Sequence, residues 1–69
     1  MSNIETVGAT AGQVWSYLKS NGASSLSAIE RGVAAPRTVV YMALGWLARE
    51  GKVTFTQENR AVIVSLREG

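Results

Sequence analysis

The stretch "APRTVVYMALGWLAREGKV", residues 35–53, decides the fold, because it reads as one helix with a defined start, a defined stop and a single apolar face. Proline at 36 suits a first helical turn, where no internal partner awaits its missing N–H. Gly51 is the stop, since glycine tolerates the left-handed conformation common after a helix. Between them Val40, Ala43, Leu44 and Leu47 return to one side at helical spacing. The spacing predicts a helix from Pro36 to about Glu50. Successive residues step by about 100°, so Thr38, Tyr41, Met42, Gly45 and Arg49 point outward. Arg37 and Ala48 lie on one shoulder, Val39 and Trp46 on the other.

Downstream, the period changes. In "KVTFTQENRAVIVSL" Val53, Phe55 and Gln57 alternate with Thr54 and Thr56, and "AVIVSL" is rich in β-branched residues. Two such runs joined by a short polar turn predict a β-hairpin. A lone hairpin is barely stable in water, so this one must pack on the helices through Val53, Phe55, Val62 and Val64. The last three residues read as a frayed tail.

Upstream, Ile4, Val7, Ala11, Val14 and Leu18 recur at steps of three and four, the mark of a helix face. Thr10 with Gln13 has capping-box spacing. A first helix is expected over Ala11–Ser20, or from as early as Ile4, ending at Asn21-Gly22. Trp15 borders its apolar stripe and is expected in the core. Tyr17 lies off the stripe and is expected to be exposed. Ser27 and Glu30 repeat the capping-box spacing, so a short second helix is expected from Ala28 to about Val33. Leu26, Ile29 and Val33 would face inward, with Leu26 on a brief strand. The order helix, helix, helix, hairpin gives an α+β, mainly α, winged helix-turn-helix, with three helices followed by a C-terminal β-hairpin wing. It forms a single domain over residues 1–69.

Composition agrees with a small globular unit. Of 69 residues, 46% are hydrophobic and 17% charged, which suits a packed domain rather than a disordered chain. A domain of this size removes only about 60% of its unfolded surface from water and is marginally stable. No cysteine or histidine is present, so neither a disulfide nor a zinc site can staple the fold. No apolar run approaches the roughly 20 residues of a membrane span. "MSNIETVGAT" lacks the basic and apolar regions of a signal peptide. The expected compartment is the cytoplasm, with no membrane and no metal partner.

A resemblance adds to this reading. "TVVYMALGWLAREGKV" is similar to the third helix and wing start of many bacterial winged-helix regulators. Val40, Ala43, Leu44, Leu47, Glu50, Gly51 and Val53 occupy the matching positions, and they encode packing. "TAGQVWSYLKSNG" followed by "ALGWLAREGKV" resembles, over nearly the whole chain, a family of short, stand-alone bacterial winged helix-turn-helix proteins of unknown function. The "LGWLARE" segment carries most of the specificity, because Gly45-Trp46 is unusual at that point in the broader regulators. The resemblance implies the fold, and DNA binding by analogy, since a fold does not fix a function.

Catalysis has little support. The commonest general base and the thiol nucleophile are both absent. The five acidic residues, Glu5, Glu30, Glu50, Glu58 and Glu68, show no metal-ligand spacing. Ser24, Ser25 and Ser27 read as turn and cap residues. "GATAG" lacks the lysine and glycine count of a phosphate loop. No enzyme and no cofactor is expected.

Two binding readings remain. In the first, the third helix enters the major groove of double-stranded DNA. Arg37, Thr38 and Tyr41 would meet base edges or phosphates, Arg49 and Lys52 would meet the backbone, and Arg60 at the hairpin tip would act as a wing arginine. The plainer reading of each arginine, taken singly, is a solvated surface charge. The net charge of +2, from seven basic and five acidic residues, is compatible with DNA without demanding it. Met42 and Gly45 offer no strong donor or acceptor at mid-helix. Any binding is therefore expected to be weak and phosphate-led. In the second reading, Val39, Met42 and Trp46 form an apolar strip for a protein partner or a homodimer, because Trp and Met are enriched in interface cores. Against it, Trp46 can cover the first helix or the hairpin and complete a thin core.

Overall fold

The computed structural model describes residues 4–67, and of Ile4 the backbone alone. Its elements are α1 (Ile4–Asn21), β1 (Ser24–Ser25), α2 (Leu26–Gly32), α3 (Arg37–Arg49), β2 (Val53–Glu58) and β3 (Ala61–Leu66). The strands form one antiparallel sheet in the order β1-β3-β2. This is the expected winged helix, mainly helical, with the wing built by β2 and β3.

α1 takes the earlier of its two expected starts. Its buried stripe is Ala11, Val14 and Leu18. The inner position expected for Ile4 lies outside the described residues. Thr10 does not begin the helix as a capping box would require; it is buried in mid-helix. Packing of the stripe carries the helix through Gly8 and Gly12, although each glycine costs about 1 kcal/mol relative to alanine. Gly22, at φ +79°, stops it, and its N–H donates to the Leu18 carbonyl at 2.8 Å.

The cap of α2 also differs from the expectation. Ser25, not Ser27, accepts from the Ala28 N–H, at 3.1 Å. The reason is the short strand. Ser24 and Ser25 pair with Val64 and Ile63 of β3, so the chain passes straight from strand into helix and the last strand residue becomes the cap. Leu26 is the first helical residue rather than part of the strand. Glu30 is thereby released from any capping role.

α3 ends in a Schellman motif. Gly51 sits at φ +73°, the Lys52 N–H donates to the Leu47 carbonyl at 2.9 Å, and the Gly51 N–H donates to the Ala48 carbonyl at 3.0 Å. The hairpin register runs from Val53↔Leu66 to Glu58↔Ala61, and Asn59 turns it at φ +55°. The first residue of the expected tail, Arg67, is held by an N–H bond to the Lys52 carbonyl at 2.9 Å, while the rest of that tail lies outside the described residues.

The core gathers Val14, Leu18, Ile29, Val40, Ala43, Leu44, Leu47 and Val64 from all three helices and the central strand. Phe55 was expected to join it but remains 46% exposed. It sits opposite Val64 on β2, and β2 is an edge strand, covered from one side only. The two aromatics of α1 exchange their expected places. Tyr17 is half-buried against the core, its ring lying over Gly32 of α2. Trp15 is 37% exposed. Both flank the buried stripe, but α2 covers the Tyr17 flank and leaves the Trp15 flank open.

Candidate nucleic-acid interface

The N-terminal half of α3 begins at an unassisted cap. Pro36 has no side chain to bond the first turn, and its carbonyl receives the N–H groups of Val39 and Val40, both at 3.0 Å. A helix start of this kind presents N–H groups and a partial positive charge outward. Thr38, Tyr41, Met42, Gly45 and Arg49 are all exposed along this helix, as the 100° steps predict, and so is Arg37 on its shoulder.

One carboxylate organises the face. The Tyr41 hydroxyl donates to Glu30 Oε2 at 2.5 Å, and Arg37 Nε lies 4.0 Å from Glu30 Oε1. The hydrogen bond to Glu30 holds the Tyr41 phenol above its ordinary pKa of 10.0. Desolvation and the Glu30 charge add to the effect, and the Arg37 charge opposes it. Across from this cluster stands the wing tip. Ser27, Glu30, Tyr41, Arg60 and Val62 line one cleft of about 250 Å³ between α2, α3 and the hairpin. Next to it, Leu26, Tyr41, Leu44, Gly45 and Phe55 line a more apolar cleft of about 270 Å³. The fold thus gathers Arg37, Tyr41 and Arg60 around Glu30, with Thr38 exposed alongside on the first turn of α3.

Over residues 1–66 the chain matches the family described as a winged helix-turn-helix domain, DUF2582. It belongs to that family. It is also 36% identical over 64 residues to Uncharacterized protein MJ1608 of Methanocaldococcus jannaschii, an alignment that covers 88% of this chain and 90% of that protein. The relative is archaeal.

Other candidate residues of this DUF2582 domain fall elsewhere. Lys52 lies at the root of the wing, paired with Glu50 at 3.7 Å. It lines a separate cleft of about 350 Å³ between α1 and α3, with Gly8, Gly12, Trp15, Trp46 and Leu47. Arg49 is exposed on the last turn of α3, away from the Glu30 cluster. Val39, read as part of an exposed apolar strip, is only 3% exposed, so it belongs to the interior and that strip does not exist as a surface. Trp46 is half-buried and packs on the core, with its ring facing Gly8 of α1. Met42 alone of the three is well exposed.

Two residues of the face were missed by the sequence reading. Glu30 was absorbed into a capping box, and Phe55 into the core. No local signal separated Ser25 from Ser27 as the cap, because the choice rests on the pairing of β1 with β3. Among the described residues no group of three His, Cys, Asp or Glu side chains could hold a metal ion, and no helix is long and apolar enough to cross a membrane.

Proposed function

We propose that this domain is a non-enzymatic binder of double-stranded DNA, transcription-associated, with contacts led by phosphate. The observation that carries the reading is the convergence of Arg37, Tyr41 and the wing-tip Arg60 on one face beside the uncapped start of α3. In helix-turn-helix proteins the second helix of the motif lies in the major groove, with its N-terminal residues at the base edges. Arg37 and Thr38 hold that position here, and Arg60 reaches backbone from the wing. Glu30 tempers the face by neutralising part of Arg37, and the middle of α3 offers Met42 and Gly45. Affinity on the order of 10⁻⁴–10⁻⁶ M, typical of non-specific contact, follows from so few free cations.

The test is an NMR titration of isotope-labelled protein with a mixed-sequence duplex, at low and then near-physiological salt. Shifts confined to Arg37 through Tyr41 and to the turn at Arg60, weakening with salt, are expected. No shifts at low salt would overturn the reading and favour a protein-interaction module, with exposed Met42 and Phe55 as its nearest apolar anchors.

A further inference from the structure

We propose that the uncovered flank of α1 docks on the same flank of a second copy of the chain, antiparallel about Gly12, to form a two-fold homodimer. This surface is separate from the α3 and wing face, and the inference stands whether or not that face binds DNA.

The flank has the residue pattern of a helix seam. Glu5, Gly8, Gly12, Trp15 and Lys19 recur at steps of three, four, three and four, the spacing with which one helix faces another. They lie beside the buried stripe Ala11, Val14 and Leu18 and are not part of it. Trp15 is the large apolar group of the seam, and it stands at the edge of the cleft that runs from Gly8 and Gly12 to Trp46 and Leu47. The cleft is bounded on one side by the Glu50–Lys52 pair, already mutually neutralised. A Cβ placed on Gly12 would meet nothing within 4 Å, so the wall is open at the centre of the seam.

A knob and a hole on one surface are what a two-fold contact requires, because each copy must offer both. Antiparallel pairing about Gly12 sets Trp15, three residues to one side, against Gly8 and Ala9 of the second copy. No large side chain of α1 stands there, but that copy's own Trp46 ring lies over Gly8, 3.9 Å from an added Cβ, so the incoming indole meets that ring rather than a bare glycine. The indole can lie in the other copy's cleft, near Trp46, and bury apolar area that the monomer leaves wet.

Charge fixes the direction and the occupant. Glu5 and Lys19 lie seven residues on either side of Gly12. An antiparallel pair therefore brings each Glu5 to Lys19 of the second copy, twice over. A parallel pair would place like on like. Within one copy the two are separated by fourteen residues of helix, about 21 Å, so they cannot meet. Among the described residues neither is in an ion pair, and the Lys19 ammonium instead rests 4.7 Å from the Trp15 ring centroid. The 18-residue helix is about 27 Å long. One of its faces falls short of the about 800 Å² per partner of a standard interface, so the dimer forms in the micromolar range or weaker.

Sedimentation equilibrium of the full chain, from micromolar to millimolar protein, tests this. The wild type is expected to pass from monomer to dimer. Trp15→Ala and Gly12→Leu are expected to stay monomeric while melting cooperatively, because neither change touches the core. Glu5→Lys and Lys19→Glu should each raise the dissociation constant about tenfold, as two opposed pairs become like-charged. The double variant Glu5→Lys/Lys19→Glu should regain the wild-type constant. A wild type that is monomeric at millimolar concentration would overturn the proposal. So would a dimer that survives Trp15→Ala and Gly12→Leu, or a double variant no better than its parents, which would mean another surface or another partner for this flank.

Discussion

The Glu30 carboxylate receives the Tyr41 hydroxyl and stands within 4.0 Å of the Arg37 guanidinium, so an acidic residue sits at the centre of the most basic face of α3. Its removal should strengthen contact with a polyanion. Glu30→Ala frees Arg37 and deletes a charge that phosphate must approach. The variant is expected to bind duplex DNA several-fold more tightly than wild type, and the slope of log K against log salt should steepen by about 0.9, one phosphate's worth of released counterion. Fluorescence anisotropy over a salt series reads both quantities. Equal or weaker binding by Glu30→Ala would mean that the carboxylate is itself a contact, or that α3 is not the binding helix.

The same bond makes a prediction about pH. The neutral phenol is the donor, so the folded state favours protonated Tyr41 and raises its pKa, chiefly through the hydrogen bond to Glu30. For a group raised on folding, the stabilisation is fully present below the unfolded pKa, near 10, and is lost as pH climbs through the folded value. The Tyr41 ring carbon followed by NMR should titrate above 10 in wild type and move back toward 10 in Glu30→Ala. An unchanged midpoint in the variant would show that Glu30 does not receive the proton in solution.

How much of this was open to reading from the chain can be followed residue by residue. Val40, Ala43, Leu44 and Leu47 are buried as their spacing demanded, and Gly51 closes α3. The hairpin stands where the period falls to two. These features depend on local pattern. What failed depended on neighbours distant in sequence. Ser25 outcompetes Ser27 as a cap only because β1 pairs with β3. Tyr17 and Trp15 flank the same stripe, and the placement of α2 decides which is covered. Val39 sits on a shoulder of α3 yet is buried. The candidate site divides in the same way. Arg37, Thr38, Tyr41 and Arg60 share a face, whereas Lys52 belongs to the α1 cleft, because the Schellman turn directs it there.

Two helical glycines give opposite predictions. A Cβ on Gly32 would fall 2.2 Å from Tyr17 Cε2 and within 2.9 Å of two more ring atoms, so the half-buried ring must move. Gly32→Ala is expected to cost about 1–3 kcal/mol, the range for overpacking. Gly45, mid-way along the exposed face of α3, has nothing within 4 Å of the same added atom. Gly45→Ala should therefore gain about 1 kcal/mol from helix propensity alone. Urea denaturation of both variants decides the matter. A double-mutant cycle with Tyr17→Ala should return most of the Gly32→Ala cost if the ring is its source.

Trp46 permits the sharpest separation of core from surface. Its ring faces Gly8 of α1 at the distance where an added methyl would make ordinary contact, 3.9 Å, and it packs on the buried cluster. Truncating a buried tryptophan costs about 3–5 kcal/mol. Half-burial brings the expected cost of Trp46→Ala to about 2 kcal/mol, with the melting temperature of so small a domain falling by roughly 8–16 °C. Met42→Ala, on the exposed side of the same helix, should change stability by less than about 0.5 kcal/mol. If Trp46→Ala melted like wild type, the indole would not be holding α1 to α3, and the open flank of α1 would have to be stabilised by the sheet instead. Gly8→Ala then serves as the control. The added methyl meets the ring at an ordinary van der Waals distance, so this variant should be neutral or stabilising with Trp46 present, and it reports whether the indole lies where the cleft places it.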